Sequence, residues 1–254
     1  QQPGRGRAHQ LACEIAAALS TRHTALGAPS PALILGHGSG SFGHAAAKKH
    51  GTRNGARSVD EWRGFAEVSV AAQQLNRIVA DALAEAGVPV FSVAPSASAR
   101  CEDGALAYLD LAPISAALEH GLTPLVMGDV AFDSVRGSTI VSTEEVFAYL
   151  AKHLPVRRVL LAGETDGVFA SMSEQRVLPA ITPENWAALS TGIGASRGAD
   201  VTGGMASKVR DMLALAQAHP GLVVQIFSGL TPGAVERALG GERPGTSVTA
   251  GGQQ

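Results

Sequence analysis

Pro31-Ala32-Leu33-Ile34-Leu35, a short apolar run, is followed after one residue by His37-Gly38-Ser39-Gly40-Ser41-Phe42-Gly43-His44. Three glycines, two serines, two histidines and Phe42 fill those eight positions, and Ala45-Ala46-Ala47-Lys48-Lys49 comes next. The pattern predicts a buried strand over Ala32–Leu35 that leaves its sheet through a tight turn and enters a helix. In open parallel sheets, ligands gather beyond the carboxyl ends of the strands. Glycines there let the backbone approach an anion such as phosphate, and the N–H groups that open the following helix point at it. His44, about a turn into that helix, is placed to add a charge-assisted hydrogen bond. His37 reads as structural. A glycine turn flanked by two incidental histidines would look the same, so the stretch needs support from the rest of the chain.

Outward from this stretch, apolar runs alternate with Ala-rich segments of helical period. Glu67–Ala86 predicts a helix with Val68, Leu75, Ile78, Val79 and Leu83 on its apolar side, stopped by Gly87. Pro89–Val93 predicts the next strand, Leu111–His120 a helix, and Pro124–Met127 a further strand. Val130–Val141 reads as a hairpin turning through Asp133-Ser134-Val135-Arg136-Gly137. Thr143 is placed to cap a helix to about His153, with Glu144 and Glu145 favourably set in its first turn. Val156–Ala162 and Leu222–Phe227 are strand candidates around a helix at Gly204–Ala218. Thr246–Thr249 is expected as a final edge strand, and the Gly-rich Thr191–Gly204 as a mobile loop. Repeated strand-then-helix order predicts a mainly parallel sheet covered by helices on both faces.

Three more strand ends carry chemistry. In Asp200-Val201-Thr202-Gly203-Gly204-Met205-Ala206-Ser207-Lys208, glycines open a helix and Lys208 sits a turn inside it. A lysine so placed can reach a phosphoryl group and offset the charge that builds on its oxygens. In Leu160-Leu161-Ala162-Gly163-Glu164-Thr165-Asp166-Gly167, an apolar strand runs into two carboxylates. These could hold nucleotide hydroxyls, position lysines or attract magnesium. In Met127-Gly128-Asp129-Val130, Asp129 leaves a buried strand just after a glycine. Singly, each also reads as an ordinary polar turn or a solvated lysine.

The totals exclude several classes. With 254 residues, 45% of them hydrophobic, the chain can bury a full-sized core as one large or two small domains. A formal net charge of -2 leaves no electrostatic footprint for nucleic acid. Its apolar runs fall far short of a membrane span. Cys13 and Cys101 form neither a disulfide framework nor metal-ligand spacing, and no residue is singled out as a metal ligand. A cytoplasmic setting is the expectation.

Taken in order, HGSGSFGH with its Ala-x-x-Lys-Lys, Gly128-Asp129-Val130-x-Phe132-Asp133 through Gly137, Ile140 and Ser142, and Val201-Thr202-Gly203-Gly204-Met205-x-x-Lys208 resemble isopentenyl phosphate kinase, a branch of the amino acid kinase superfamily. Gly64-Phe65-Ala66-Glu67-Val68 through Leu75-Asn76 suits it too. The resemblance implies a three-layer αβα sandwich with a mainly parallel central sheet, a single domain over residues 1–254, and a homodimer. The acceptor would sit on the N-terminal half and ATP on the C-terminal half. The reaction implied moves the γ-phosphoryl group of ATP to isopentenyl phosphate, a small-molecule phosphate acceptor, with Mg2+, as part of isoprenoid biosynthesis. By position, Gly38, Ser39, His44, Gly128 and Asp129 would bind the acceptor. Gly40, Asp166, Gly204 and Lys208 would bind ATP, and His44 and Lys208 would carry catalysis.

The chain departs from the family pattern in three places. The Lys-x-Gly-Gly-Ser turn and strand that open the family have no counterpart before Ala8, and the expectation is that natural sequence precedes Gln1. Ser142-Thr143-Glu144-Glu145 stands for the family's Ser-Gly-Asp-Asp, and Gly163-Glu164-Thr165-Asp166-Gly167 for Thr-Asp-x-Asp-Gly. Two alternatives follow: a fosfomycin kinase, whose phosphonate acceptor is also a small dianion, and a nucleotide-binding regulatory module without turnover.

Overall fold

The glycine that looks like the start of a turn lies inside a strand. In a computed structural model describing residues 3–26, 32–38, 40, 47–171, 176–193 and 204–251, strand β1 spans Leu35–His37 rather than Ala32–Leu35. It continues through Gly36 because a helix packs directly against that residue. A Cβ at Gly36 would come within 2.7 Å of both Phe147 Cζ and Thr143 Cγ2. The chain divides into two compact units, Gln1–Tyr149 and Leu150–Gln254.

In the first unit, β1 and β2 (Val90–Ser92) flank β5 (Thr123–Met127), and both ladders are parallel. Leu35 and Ser92 pair with Leu125 from opposite sides. All of β5 is buried, which accounts for its unbroken apolar run Pro124-Leu125-Val126-Met127. Helix α1 (Pro3–Leu26) packs on helix α2 (Val59–Glu85), and Ala12, Ala82, Leu83, Val88 and Leu125 form a shared core beneath them. Helix α3 (Ala112–Glu119) leads into β5.

A second sheet in this unit has the order β4-β3-β6-β7, from β3 (Arg100–Glu102), β4 (Ala105–Tyr108), β6 (Asp129–Asp133) and β7 (Gly137–Val141). The β6–β7 hairpin matches the sequence expectation, closing where Asp133 pairs with Gly137 at φ +85°. The β3–β4 hairpin was not anticipated, although Asp103-Gly104 carries its signal. Both residues have positive φ, 47° and 85°, as a two-residue primed turn requires.

In the second unit, β8 (Arg158–Gly163) and β10 (Val223–Ser228) are parallel, and β11 (Thr246–Val248) runs antiparallel to β10. The expected edge strand is therefore internal. Two-residue β9 (Ala180–Ile181) pairs along its other side, so the order is β8-β10-β11-β9. Every residue of β10 is buried, including Gln225, which donates to Pro244 O at 2.5 Å and accepts from the Ser247 hydroxyl at 3.3 Å. Helices α4 (Thr143–His153), α5 (Pro183–Leu189), α6 (Gly204–Ala218) and α7 (Ala234–Gly240) complete the described elements. Helix α6 has the bounds expected from sequence. The predicted loop over residues 194–203 lies outside the described residues. Among the described residues, no helix is long and apolar enough to cross a membrane.

Helix α2 begins eight residues earlier than its apolar stripe suggests, and its cap explains the difference. The Ser58 hydroxyl accepts from Glu61 N at 3.3 Å, while Glu61 Oε2 accepts from Ser58 N at 2.7 Å. This reciprocal pair satisfies two otherwise orphaned donors. The N–H groups of Arg57 and Ser58 also hold the Glu61 carboxyl below its ordinary range. Replacing Ser58 by Ala should destabilise the protein by about 1 kcal/mol in urea unfolding. Unaltered stability would mean that tertiary packing alone sets the helix start.

Candidate active site

The carboxyl ends of β1, β5 and β2 lie side by side in the first unit, where sequence placed the acceptor-binding residues. The chain leaves β1 at His37, and Gly38 is exposed immediately beyond it. Across the ladder, β5 ends at Met127, and the N–H of Gly128 donates to His37 O at 3.2 Å. The Thr143 hydroxyl donates to the same carbonyl at 2.7 Å. Two of the expected acceptor-binding glycines, Gly38 and Gly128, are thus brought together around one residue. Gly40 adopts φ +52°, in the left-handed region, with Leu75 Cδ2 3.8 Å from where a Cβ would stand. Ser39 and His44 lie outside the described residues.

His37 does more than sequence suggested. Its Nε2 stands 3.1 Å from Asn76 Nδ2, its Nδ1 stands 3.0 Å from Gly38 O, and Asn76 Oδ1 accepts from the Ser92 hydroxyl at 2.9 Å. Burial pulls the His37 pKa below its ordinary value, against the raising effect of the Gly38 carbonyl. Asn76 was legible only as the end of the Gly64–Asn76 segment that suits the family resemblance, with no role attached. Ser92 carried no signal.

Asp129 is 1% exposed at the start of β6. Its Oδ2 accepts from Ser96 N at 3.2 Å and its Oδ1 from Val130 N at 2.8 Å. Burial raises its pKa, opposed by those hydrogen bonds. In this arrangement the carboxylate fixes the turn that follows β2.

The cap of α4 is Ser142 rather than Thr143. Glu145 N donates to the Ser142 hydroxyl at 3.1 Å, and Glu145 Oε2 accepts from Ser142 N at 2.6 Å. Arg53 Nη2 lies 3.7 Å from the same oxygen. Thr143 is left to hold His37 O, so the Ser-Thr-Glu-Glu departure builds a capped helix start against β1.

In the second unit, β8 ends at Gly163, whose carbonyl accepts from Gly229 N at 2.8 Å just beyond β10. Glu164 and Asp166 follow on an exposed turn. The buried Thr246 hydroxyl accepts from Val168 N at 2.8 Å and donates to Leu178 O at 2.6 Å, anchoring the segment after that turn. Gly204 opens α6 with φ +73°, and Lys208 is half-buried one turn in. Among the described residues, no three His, Cys, Asp or Glu side chains gather as a metal cluster.

Comparisons with known proteins agree with this architecture. A profile of the amino acid kinase family matches residues 13–228. The isopentenyl phosphate kinase of Methanothermobacter thermautotrophicus is 34% identical over 236 residues, covering 88% of this chain and 87% of the relative. That of Haloferax volcanii is 38% identical over 207 residues, covering 81% and 78%. A crystal structure of an isopentenyl phosphate kinase superposes with a TM-score of 0.77 at 31% identity, covering 96% of this chain and 91% of the other.

The contacts around Gly36 and Thr143 are open to test. Thr143→Val, which keeps the packing but removes the hydroxyl, should lower stability by about 1 kcal/mol. Gly36→Ala forces a methyl group against Phe147 and Thr143 and should cost about 1–3 kcal/mol. Urea unfolding reads both, and a Gly36→Ala protein as stable as the parent would contradict the packing described.

Proposed function

The chain belongs to the amino acid kinase family and, within it, to the isopentenyl phosphate kinases, and from that premise we propose that it transfers the γ-phosphoryl group of ATP to isopentenyl phosphate. The products are isopentenyl diphosphate and ADP. The observation that carries the reading is the meeting of Gly38 and Gly128 around His37 O at the carboxyl end of β1, on the unit where the sequence resemblance leads us to expect the acceptor. Glycine-rich strand ends of this kind present main-chain N–H groups to a phosphate without side-chain interference.

The acceptor needs little chemical activation. An isopentenyl phosphate oxygen is already ionised at neutral pH, so it attacks the γ-phosphorus directly and no general base is required. A new P–O bond forms, the bond to the β,γ-bridging oxygen breaks, and the electron pair leaves on ADP. Catalysis is then positioning plus neutralisation of repelling anions. In this scheme the main chain at Gly38 and Ser39 holds the acceptor phosphate, His44 donates to it, Gly128, whose N–H is committed to His37 O, borders the phosphate without a side chain in its way, and Asp129 keeps the neighbouring turn in place. On the second unit, Gly204 opens α6 toward the ATP phosphates and Lys208 offsets charge on the transferring group. Asp166 lies beside the nucleotide, and Gly40 lets the main chain approach the transferring phosphate.

Magnesium suits these residues as a passenger on the ATP phosphates, since Mg2+ keeps several waters and takes few protein carboxylates. The exposed Glu164 and Asp166 at the end of β8 are the carboxylates that would hold it, and the ion would neutralise charge on the ATP phosphates. A homodimer acting in the cytoplasm completes the proposal.

The test is direct turnover. Purified protein with Mg-ATP should convert isopentenyl phosphate with a higher kcat/KM than fosfomycin, and the reverse preference would overturn the assignment. ATP binding without ADP formation on either acceptor would favour a regulatory module. His44→Ala should raise the acceptor's KM and reduce turnover. Lys208→Ala should chiefly lower kcat, on the order of tenfold or more. Unchanged kinetics would remove either residue from its role.

A further inference from the structure

We infer that Asn76 and His37 form a positioning pair that sets the direction of the Gly38 peptide for the acceptor phosphate. The inference rests on the functional reading above and adds to it two residues with no assigned role. An imidazole has two nitrogens, and when neutral it carries a proton on only one. Asn76 faces Nε2 with its amide nitrogen, 3.1 Å away, and its amide oxygen is taken by the Ser92 hydroxyl at 2.9 Å. The Gly38 carbonyl beside Nδ1 can only accept, so a neutral ring carries its proton on Nδ1 and leaves Nε2 as the acceptor. Asn76 supports that tautomer only with its amide nitrogen toward Nε2, and the Ser92 hydroxyl then donates to the amide oxygen.

The single ring proton is then on Nδ1, where it donates to Gly38 O at 3.0 Å. The chain of donors runs from Ser92 at the end of β2, through Asn76 on α2, to the first peptide beyond β1. Each link is needed, because a flipped amide or the other tautomer would set like groups against one another. The backbone of His37 is held independently. Its carbonyl accepts from Thr143 Oγ1 at 2.7 Å and from Gly128 N at 3.2 Å, so the ring swings from a fixed base.

The consequence concerns Gly38. A glycine has no Cβ to restrict its rotation, and exposed as it is, its peptide has many orientations available. The ring's N–H limits that choice by gripping the carbonyl. A peptide so held is ready before the acceptor arrives, and pre-organisation of this kind lowers the barrier for phosphoryl transfer without touching the reacting atoms. His37 and Asn76 are accordingly positioning residues, distinct from the catalytic His44 and Lys208.

The experiment has two parts, both on the full chain. The first is a long-range proton–nitrogen NMR spectrum of protein labelled on its histidine ring nitrogens, at pH 7.5, with His37 assigned by loss of its signals in His37→Asn. The inference expects a protonated Nδ1 and an unprotonated Nε2. A ring protonated on Nε2, or on both nitrogens, would overturn it.

The second part is kinetic. Asn76→Leu removes the N–H that Nε2 accepts from and leaves the ring free to turn away from the Gly38 carbonyl; kcat/KM for isopentenyl phosphate should fall about tenfold or more while the KM for ATP stays unchanged. His37→Leu should show a loss of similar size. His37→Asn places an amide N–H where Nδ1–H stood and should recover most of the lost efficiency. Equal activity of His37→Leu and His37→Asn, or parental acceptor kinetics in Asn76→Leu, would refute the pair. Absence of turnover in the parent chain would instead refute the functional reading, and the nitrogen spectrum, which needs no substrate, would still decide whether the ring holds that tautomer.

Discussion

The main-chain carbonyl of His37 is the point on which the first unit's strand ends depend. It accepts from the Gly128 N–H and from the Thr143 hydroxyl, joining β1 to the segment that follows β5 and to the first turn of α4. A main-chain carbonyl at the end of a ladder must find donors or water, and here two donors from distant parts of the sequence reach it. Their approach is possible because Gly36, one residue earlier, offers no side chain to the helix above it. Remove that clearance and α4 moves off β1, the hydroxyl loses its acceptor, and the glycines beyond the strand lose their reference point.

The second unit reaches a similar solution with different residues. There β8 and β10 end together, and Gly229 N bonds to Gly163 O where the strands finish. The fully buried Thr246 hydroxyl then donates and accepts at once, pairing the Val168 N–H behind the Glu164–Asp166 turn. In each unit the regular ladders hold the frame, and short polar bridges at the carboxyl ends settle where the loops begin. This is the arrangement phosphoryl transfer favours, since the protein contributes geometry and charge rather than covalent chemistry.

Much of this was legible in the sequence, for identifiable reasons. Long, strongly periodic or uniformly apolar segments such as β5, β10 and α6 were readable because burial on both faces, or along a single stripe, leaves a plain pattern. Boundaries set by polar chemistry were not. The start of α2 depends on Ser58 and Glu61, and the start of α4 on Ser142 and Glu145, in each case outside the apolar period. Gly36 looked like a turn because its reason for being glycine, Phe147, is more than a hundred residues away. Short β9 has too few residues to show a period, which hid the internal position of β11. At the site, glycines and histidines announced themselves by type, whereas Asn76 and Ser92 matter only through their contacts.

In the proposed function the acceptor phosphate is held by main chain just beyond β1, with Gly128 at the end of β5 beside it. The most direct measurement is an amide proton–nitrogen NMR titration of the full chain with isopentenyl phosphate in the absence of ATP. The account predicts saturable shifts at Gly38 and Gly128, with the amides of Glu164 and Asp166 unmoved. Shifts confined to Leu150–Gln254, or none at saturating acceptor, would contradict it.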